Sequence, residues 1–262
     1  MKLPFVQIDA FADRPFGGNP AAVMPLDAWL PDDVLQAIAL ENNLSETAFT
    51  IPAEGDADYE LRWFTPACEV ALCGHATFAS GHHLIGDRER VRFRTRKAGV
   101  LTVRRAGDGY AMELPATFMS PQPRPEIAAA LGVPDAPTWA SATDAAEETV
   151  IVLLKDEAAV RALEPDFRAL GRHHVMVVPT APGTNTDVVS RVFVPSFGID
   201  EDPVTGSAHA ALAPFWAERL GRPSFTAFQA SARGGRVDCT LAGDRAVLGG
   251  RSVTVIEGSF FL

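Results

Sequence analysis

Residues Phe5 to Phe11 alternate between apolar and polar side chains as a half-buried strand does. Turn formers crowd Asp13 to Pro20, ahead of the apolar run Ala21 to Met24, so a strand, a loop and a second strand open the chain. Pro31, followed by Asp32 and Asp33, predicts a helix carrying Val34, Leu35, Ile38 and Ala39 to about Asn42. Thr47–Ile51 and Tyr59–Phe64 read as strands, which puts Glu46 where a loop enters a sheet. Arginine occupies every second position from Arg88 to Arg96, with Val91 and Phe93 on the opposite face. That pattern suits a solvated sheet face, and would also suit an anion patch. Gly99–Arg104 and Tyr110–Leu114 continue the strands.

Two segments break the alternation. Leu72 to Ile85 and Ala208 to Trp216 contain no Asp, Glu, Lys or Arg and are rich in small residues. Helices apolar on every side are enclosed by protein all round. Ahead of the second run, Pro203 and a capping Thr205 or Ser207 predict a helix start, and Gly206 would let a ligand approach the backbone. Bare N–H groups at such a mouth form a ready anion site. Pro214 should kink this helix or end its first part, because it removes the bond to the Ala210 carbonyl. Two such segments suggest a duplicated architecture.

Four prolines between Pro115 and Pro125 mark a domain linker and a hinge candidate. Beyond it, a helix near Glu126–Leu131, a strand at Thr149–Leu154, helical turns at Glu157–Leu163, strands at His174–Val178 and Asp187–Val194, and four short C-terminal strands are expected. Strands surrounding two helices make the class α+β.

A chain of 262 residues, 47% hydrophobic and 21% charged, has room for two domains with cores of their own. A net charge of −10 provides no field for nucleic acid or an anionic membrane. Three cysteines suit a reducing compartment, and neither a signal-peptide core nor a membrane-length apolar run is present. A cytoplasmic soluble protein without nucleic-acid or membrane partners is expected.

Asn43-Leu44-Ser45-Glu46-Thr47, Cys73-Gly74-His75-Ala76-Thr77 and Glu201-Asp202-Pro203-Val204-Thr205-Gly206-Ser207-Ala208 together resemble the phenazine-biosynthesis isomerase family, within the diaminopimelate-epimerase-like fold. Asp9-Ala10-Phe11, Phe16-Gly17-Gly18-Asn19-Pro20 and Gln229 to Gly235 add to the resemblance. It implies two pseudo-symmetric halves, each a curved, mostly antiparallel, barrel-like sheet around a central helix. The implied bounds are 1–118, completed by about 257–262, and 119–256. It further implies an active site in the cleft between the halves, a homodimer, and neither cofactor nor metal. Carried over by position, Glu46 is the general acid/base, His75, Asp202 and Ser207 contact substrate, and Gly74 and Gly206 stand at the helix mouths. Cys73 fits the first thiol position of the related two-cysteine epimerases, while the second falls at Ala208, which disfavours a two-thiol racemase.

A proton shift in a small carboxylate-bearing metabolite needs one group that takes a proton from carbon and returns it elsewhere. Glu46 and Asp202 could form a coupled carboxylate pair for this. Thr205, Gly206 and Ser207 would offer N–H groups and a hydroxyl to the substrate carboxylate. His75, just inside a helix N-terminus, is expected to be a neutral donor with lowered pKa. Two alternatives stand beside the isomerase: a racemase using Cys73, and a metabolite-binding or interaction protein. His82-His83, His173-His174 and His209 lack ligand spacing, and Cys68-x4-Cys73 lacks a partner pair, so no metal site is expected. Gln229 to Gly235 fits a second anion loop or a plain turn equally well.

Overall fold

The computed structural model describes residues 1–141 and 148–262. The fold is mixed, mostly sheet, with six α-helices among the described residues. Contacts divide it into two compact units, Met1–Leu114 with Gly249–Leu262, and Pro115–Leu248. The C-terminal segment of the first unit therefore begins at Gly249, earlier than the expected 257. Strand Ser252–Phe261 pairs along the whole of Lys2–Ala10, from Ala10 opposite Ser252 to Lys2 opposite Phe261. The boundary falls at Pro115 and not after residue 118, because the N–H groups of Ala116 and Thr117 bond to Asp244 and Ala210 of the second unit.

In the first unit Lys2–Ala10 also pairs antiparallel with Asn19–Pro25, which runs parallel to Glu46–Pro52. Antiparallel Tyr59–Phe64 follows, then parallel Arg90–Thr95 and antiparallel Val100–Ala106 and Gly109–Pro115. Helix Asp32–Asn42 begins after Pro31 as expected and ends at Asn43, whose left-handed φ of 49° turns the chain towards Glu46. Its Leu35, Ile38 and Ala39 fill a core with Met24, Phe49 and Phe64.

Helix Gly74–Leu84 is buried from His75 to Gly81. Phe78 stacks on Phe11, with ring centroids 4.3 Å apart. Gly81 lets the helix lie against strand Val100–Ala106: a Cβ there would fall 2.4–2.7 Å from three side-chain carbons of Val103. The arginine strand is a solvated face held by ion pairs, Arg88 with Asp58 at 3.3 Å, Arg94 with Asp56 at 2.6 Å and Arg96 with Glu69 at 3.1 Å. Anion capture has no special support there.

The second unit repeats the mixture of pairings. Glu148–Leu153 runs parallel to Val175–Pro182, and Val188–Ser190 parallel to Ser224–Gln229, while Gly235–Ala242 returns antiparallel. The expected single strand Asp187–Val194 is two, Val188–Ser190 and Phe193–Val194, each with its own partners. Val150, Val152, Val177, Val189 and Phe193 form its core with Ile127 and Val160.

Helix Gly206–Leu220 continues through Pro214, so its first part does not end there, one of the two outcomes expected. The proline does remove the bond to Ala210, but the freed carbonyl accepts from the Thr117 N–H at 3.1 Å. The Ala210 carbonyl is therefore not left without a partner. No helix among the described residues is long and apolar enough to cross a membrane.

Candidate active site

Glu46 is the first residue of Glu46–Pro52, opposite Ala21 in the parallel pair with Asn19–Pro25. The Asn42 side chain donates to Thr47 Oγ1 at 3.1 Å, pinning the end of the preceding helix to this strand start. Gly74 and His75 open the buried helix, with Cys73 as its N-cap in extended conformation and no capping side chain. These elements bring three chemically active groups together. His75 Nε2 lies 3.1 Å from Glu46 Oε2, and Cys73 Sγ lies 3.6 Å from His75 Nδ1. The Nε2 and Oε2 atoms are buried, and neither has an aligned hydrogen bond despite their closeness.

Burial alone would lower the His75 pKa, but the adjoining Cys73 sulfur and Glu46 carboxylate outweigh it and raise the ring well above the ordinary 6.5. Burial pushes the Cys73 thiol up, and the Glu46 carboxylate pushes it further. The sulfur and the carboxylate act on the ring in the same direction. The direction is opposite to the lowered pKa expected for His75: the sulfur and the carboxylate beside the ring prevail over a helix-end partial charge. Within its own unit, Glu46 is paired with His75.

Asn19 was not singled out from the sequence. It is fully buried, with its side-chain amide 3.2 Å from His75 Nδ1 and 3.4 Å from Ser45 Oγ. Its Nδ2 faces the ring nitrogen and its Oδ1 accepts from the Ser45 hydroxyl. The signal lay in the turn before it: Gly18, at φ +61°, stands where a Cβ would fall 2.0 Å from the Ala10 carbonyl oxygen.

The second unit holds the other candidates. Thr205 is the N-cap of Gly206–Leu220, again extended and again without a side-chain cap bond. The expected capping by Thr205 or Ser207 does not occur, because the Thr205 hydroxyl donates to the Asp202 carboxylate and Ser207 lies inside the first turn. By contrast, Asp156 and Asp166 cap the short helices Glu157–Arg161 and Phe167–Leu170. Ser207 Oγ reaches the Met176 sulfur at 3.8 Å, a weak acceptor.

Gln229, buried, settles the role of the late motif. Its Oε1 accepts from the Thr205 N–H at 2.9 Å and its Nε2 donates to the Asp202 carbonyl at 2.7 Å. Ser231 Oγ donates to the Pro203 carbonyl at 2.8 Å. The motif braces the turn that starts the helix. His209 Nδ1 lies 2.8 Å from the Thr205 carbonyl, and burial lowers its pKa to about 4, so it is neutral and donates there.

The family model for phenazine biosynthesis-like protein matches residues 8–258. The chain belongs to this phenazine biosynthesis-like family. The Pseudomonas aeruginosa protein called uncharacterized isomerase PA2770 is 48% identical over the full length of both chains. The human phenazine biosynthesis-like domain-containing protein is 37% identical over 99% of each. A PhzF-family crystal structure from Enterococcus faecalis superposes with a TM-score of 0.90 at 40% identity, covering both chains completely. A hydroxyproline epimerase from Agrobacterium vitis shares the fold, with a TM-score of 0.61 at 14% identity over 98% of this chain and 92% of that one. The family match spans Glu46, the Cys73–His75 turn, the Asp202–Ser207 turn and Gln229 alike.

Proposed function

We propose that the chain is a cofactor-independent isomerase that shifts a proton, and with it a double bond or a stereocentre, in a small carboxylate-bearing metabolite. The observation that carries this reading is the pair His75 Nε2 and Glu46 Oε2, buried, 3.1 Å apart and each without an aligned hydrogen bond. Each group is the other's partner in a buried site, which keeps a base and a donor side by side away from water. Glu46 takes the proton from carbon and returns it to another position. The His75 imidazolium faces the charge that develops, as a stronger donor than a neutral ring.

The carboxylate assignment is supported by the uncapped start of Gly206–Leu220, where Gly206 and Ser207 offer N–H groups and Ser207 a hydroxyl, with Asp202 and Gln229 holding Thr205. In the same reading the two units are copies of one plan, each with a buried helix entered through an extended, uncapped residue, Cys73 or Thr205. A homodimer and a cytoplasmic location go with it as family expectations. The raised thiol pKa of Cys73 favours Glu46 over Cys73 as the base, which sets the racemase reading second.

The test is deuterium wash-in from D2O into a total metabolite extract, read by mass spectrometry, with wild type and Glu46→Gln side by side. A metabolite labelled by the wild type alone identifies the substrate class and supports Glu46. Equal labelling by both removes Glu46 from the role, and labelling by neither, with a metabolite retained on the protein, favours a binding function.

A further inference from the structure

We propose that the proton His75 gains and loses is carried on Nδ1, and that the buried Asn19 is the positioning residue that serves this nitrogen in both protonation states. The two ring nitrogens face different chemistry. Nε2 lies 3.1 Å from Glu46 Oε2, and a carboxylate accepts hydrogen bonds without donating them. A hydrogen on Nε2 is therefore favoured in the neutral and the charged ring alike. Nδ1 lies 3.2 Å from Asn19 Nδ2 and 3.6 Å from Cys73 Sγ. An amide donates from one end and accepts at the other, and a thiol does both weakly, so Nδ1 finds a partner whether it holds a hydrogen or a lone pair.

As placed, Asn19 Nδ2 faces Nδ1 while Oδ1 accepts from the Ser45 hydroxyl at 3.4 Å. That arrangement suits a neutral ring, whose Nδ1 lone pair accepts from the amide. When Nδ1 takes a proton, a half-turn of the amide sets Oδ1 towards it and Nδ2 towards Ser45. Terminal amide torsions are broad and two-fold, and a serine hydroxyl accepts as well as donates. Asn19 is fully buried, so the amide serves the ring where water does not reach. Its pairing with Ala10 and the tight turn at Gly18 fix the point from which the side chain reaches His75.

The charges that act on the ring are those of Cys73 and Glu46. Among the other strands against helix Gly74–Leu84, Lys2–Ala10 carries the buried Asp9, whose Oδ2 accepts from the Phe16 N–H at 2.8 Å. Val100–Ala106 meets the helix through Val103 at Gly81, and Ser252–Phe261 through Thr254, 3.1 Å from His82 Nε2. Arg90–Thr95 contributes the buried Val91 and Phe93. The ring thus presents an N–H to Glu46 throughout and changes its charge at the opposite nitrogen. The place of the proton rests on these neighbours alone, whereas its bearing on turnover rests on the isomerase reading above.

The experiment is 15N NMR of the histidine-labelled chain, titrated from neutral to alkaline pH, with His75 assigned by its absence in His75→Gln. The expected result is that Nδ1 loses its hydrogen as pH rises while Nε2 keeps its own. Loss from Nε2 with Nδ1–H retained overturns the proposal. Asn19→Asp sets an acceptor-only carboxylate beside Nδ1 and should raise the ring's proton affinity about tenfold or more, moving the alkaline limb of kcat/KM to higher pH by the same factor. A His75 titration that Asn19→Asp leaves in place overturns the role given to Asn19, as does a shifted titration with an unmoved limb. If Asn19→Asp does not fold, Asn19→Leu replaces it. The Nδ1 resonance should then move in both protonation states while Nε2 holds, and an unmoved Nδ1 overturns the role. The expected spectra in a chain that exchanges no metabolite proton leave the proton on Nδ1 and remove the isomerase.

Discussion

Acidification should loosen the second unit through one buried histidine. His209 is fully buried one turn into Gly206–Leu220 and bonds the Thr205 carbonyl, so it steadies the turn that presents Thr205, Gly206 and Ser207. Its pKa is lowered from 6.5 to about 4 by burial. The unfolded chain accepts this proton near 6.5, and the folded chain refuses it until about 4. Between those values the unfolded state binds more protons, so stability falls as pH falls, and the loss is complete below the folded pKa. At about 1.4 kcal/mol per pKa unit the whole effect is roughly 3 kcal/mol, of which roughly 2–3 kcal/mol is gone by about pH 4.5. Urea unfolding of wild type and His209→Gln at about pH 7.5 and about pH 4.5 isolates the contribution, since every other titrating group is common to both chains. The wild type should lose roughly 2–3 kcal/mol more than the variant between the two conditions. Equal losses in both chains would refute the reasoning, as would an NMR titration placing His209 near 6.5.

The ring of His75 has the opposite sign. Raised above 6.5, it contributes stability that is fully present below 6.5 and lost as pH rises through its folded pKa. The alkaline limb of kcat/KM should follow that titration and should vanish in His75→Gln, whose residual rate is flat across it. Gln229→Ala leaves the Thr205 N–H and the Asp202 carbonyl without their amide partner, and should cost about 1–3 kcal/mol by urea unfolding. Gly81→Ala forces a methyl into Val103 and should cost about 1–3 kcal/mol, measured the same way, with Gly81→Ala/Val103→Ala recovering part of it.

Much of the site was legible before the fold was known, because its residues sit where local rules apply. Glu46 stands at a junction between helix and strand signals, and His75 and Gly206 open the two uncharged helical segments. Local patterns also placed the helix Asp32–Asn42 and the strand Tyr59–Phe64. The short strand Thr138–Ala140 and the four-residue helix Phe167–Leu170 escaped, since segments that short carry too few positions for a period to show. Asn19 and Gln229 stood in the quoted motifs, but their buried partners escaped for another reason. A buried amide reads as a turn or surface residue until its partners, 56 and 24 residues away, are known.

Sequence by itself determined the elements, the family resemblance and the identity of the acid/base candidates, all of which depend on neighbours within a few positions. Tertiary structure decided the charge state and the partners. It raised the His75 pKa by setting the ring beside Cys73 and Glu46, raised that of Cys73 by burying it beside Glu46, and turned the Thr117 N–H onto the Ala210 carbonyl that Pro214 leaves free. Both outcomes come from groups far apart in the chain meeting where water is excluded, and a pattern read along the chain has no measure of burial or of the distance between such groups.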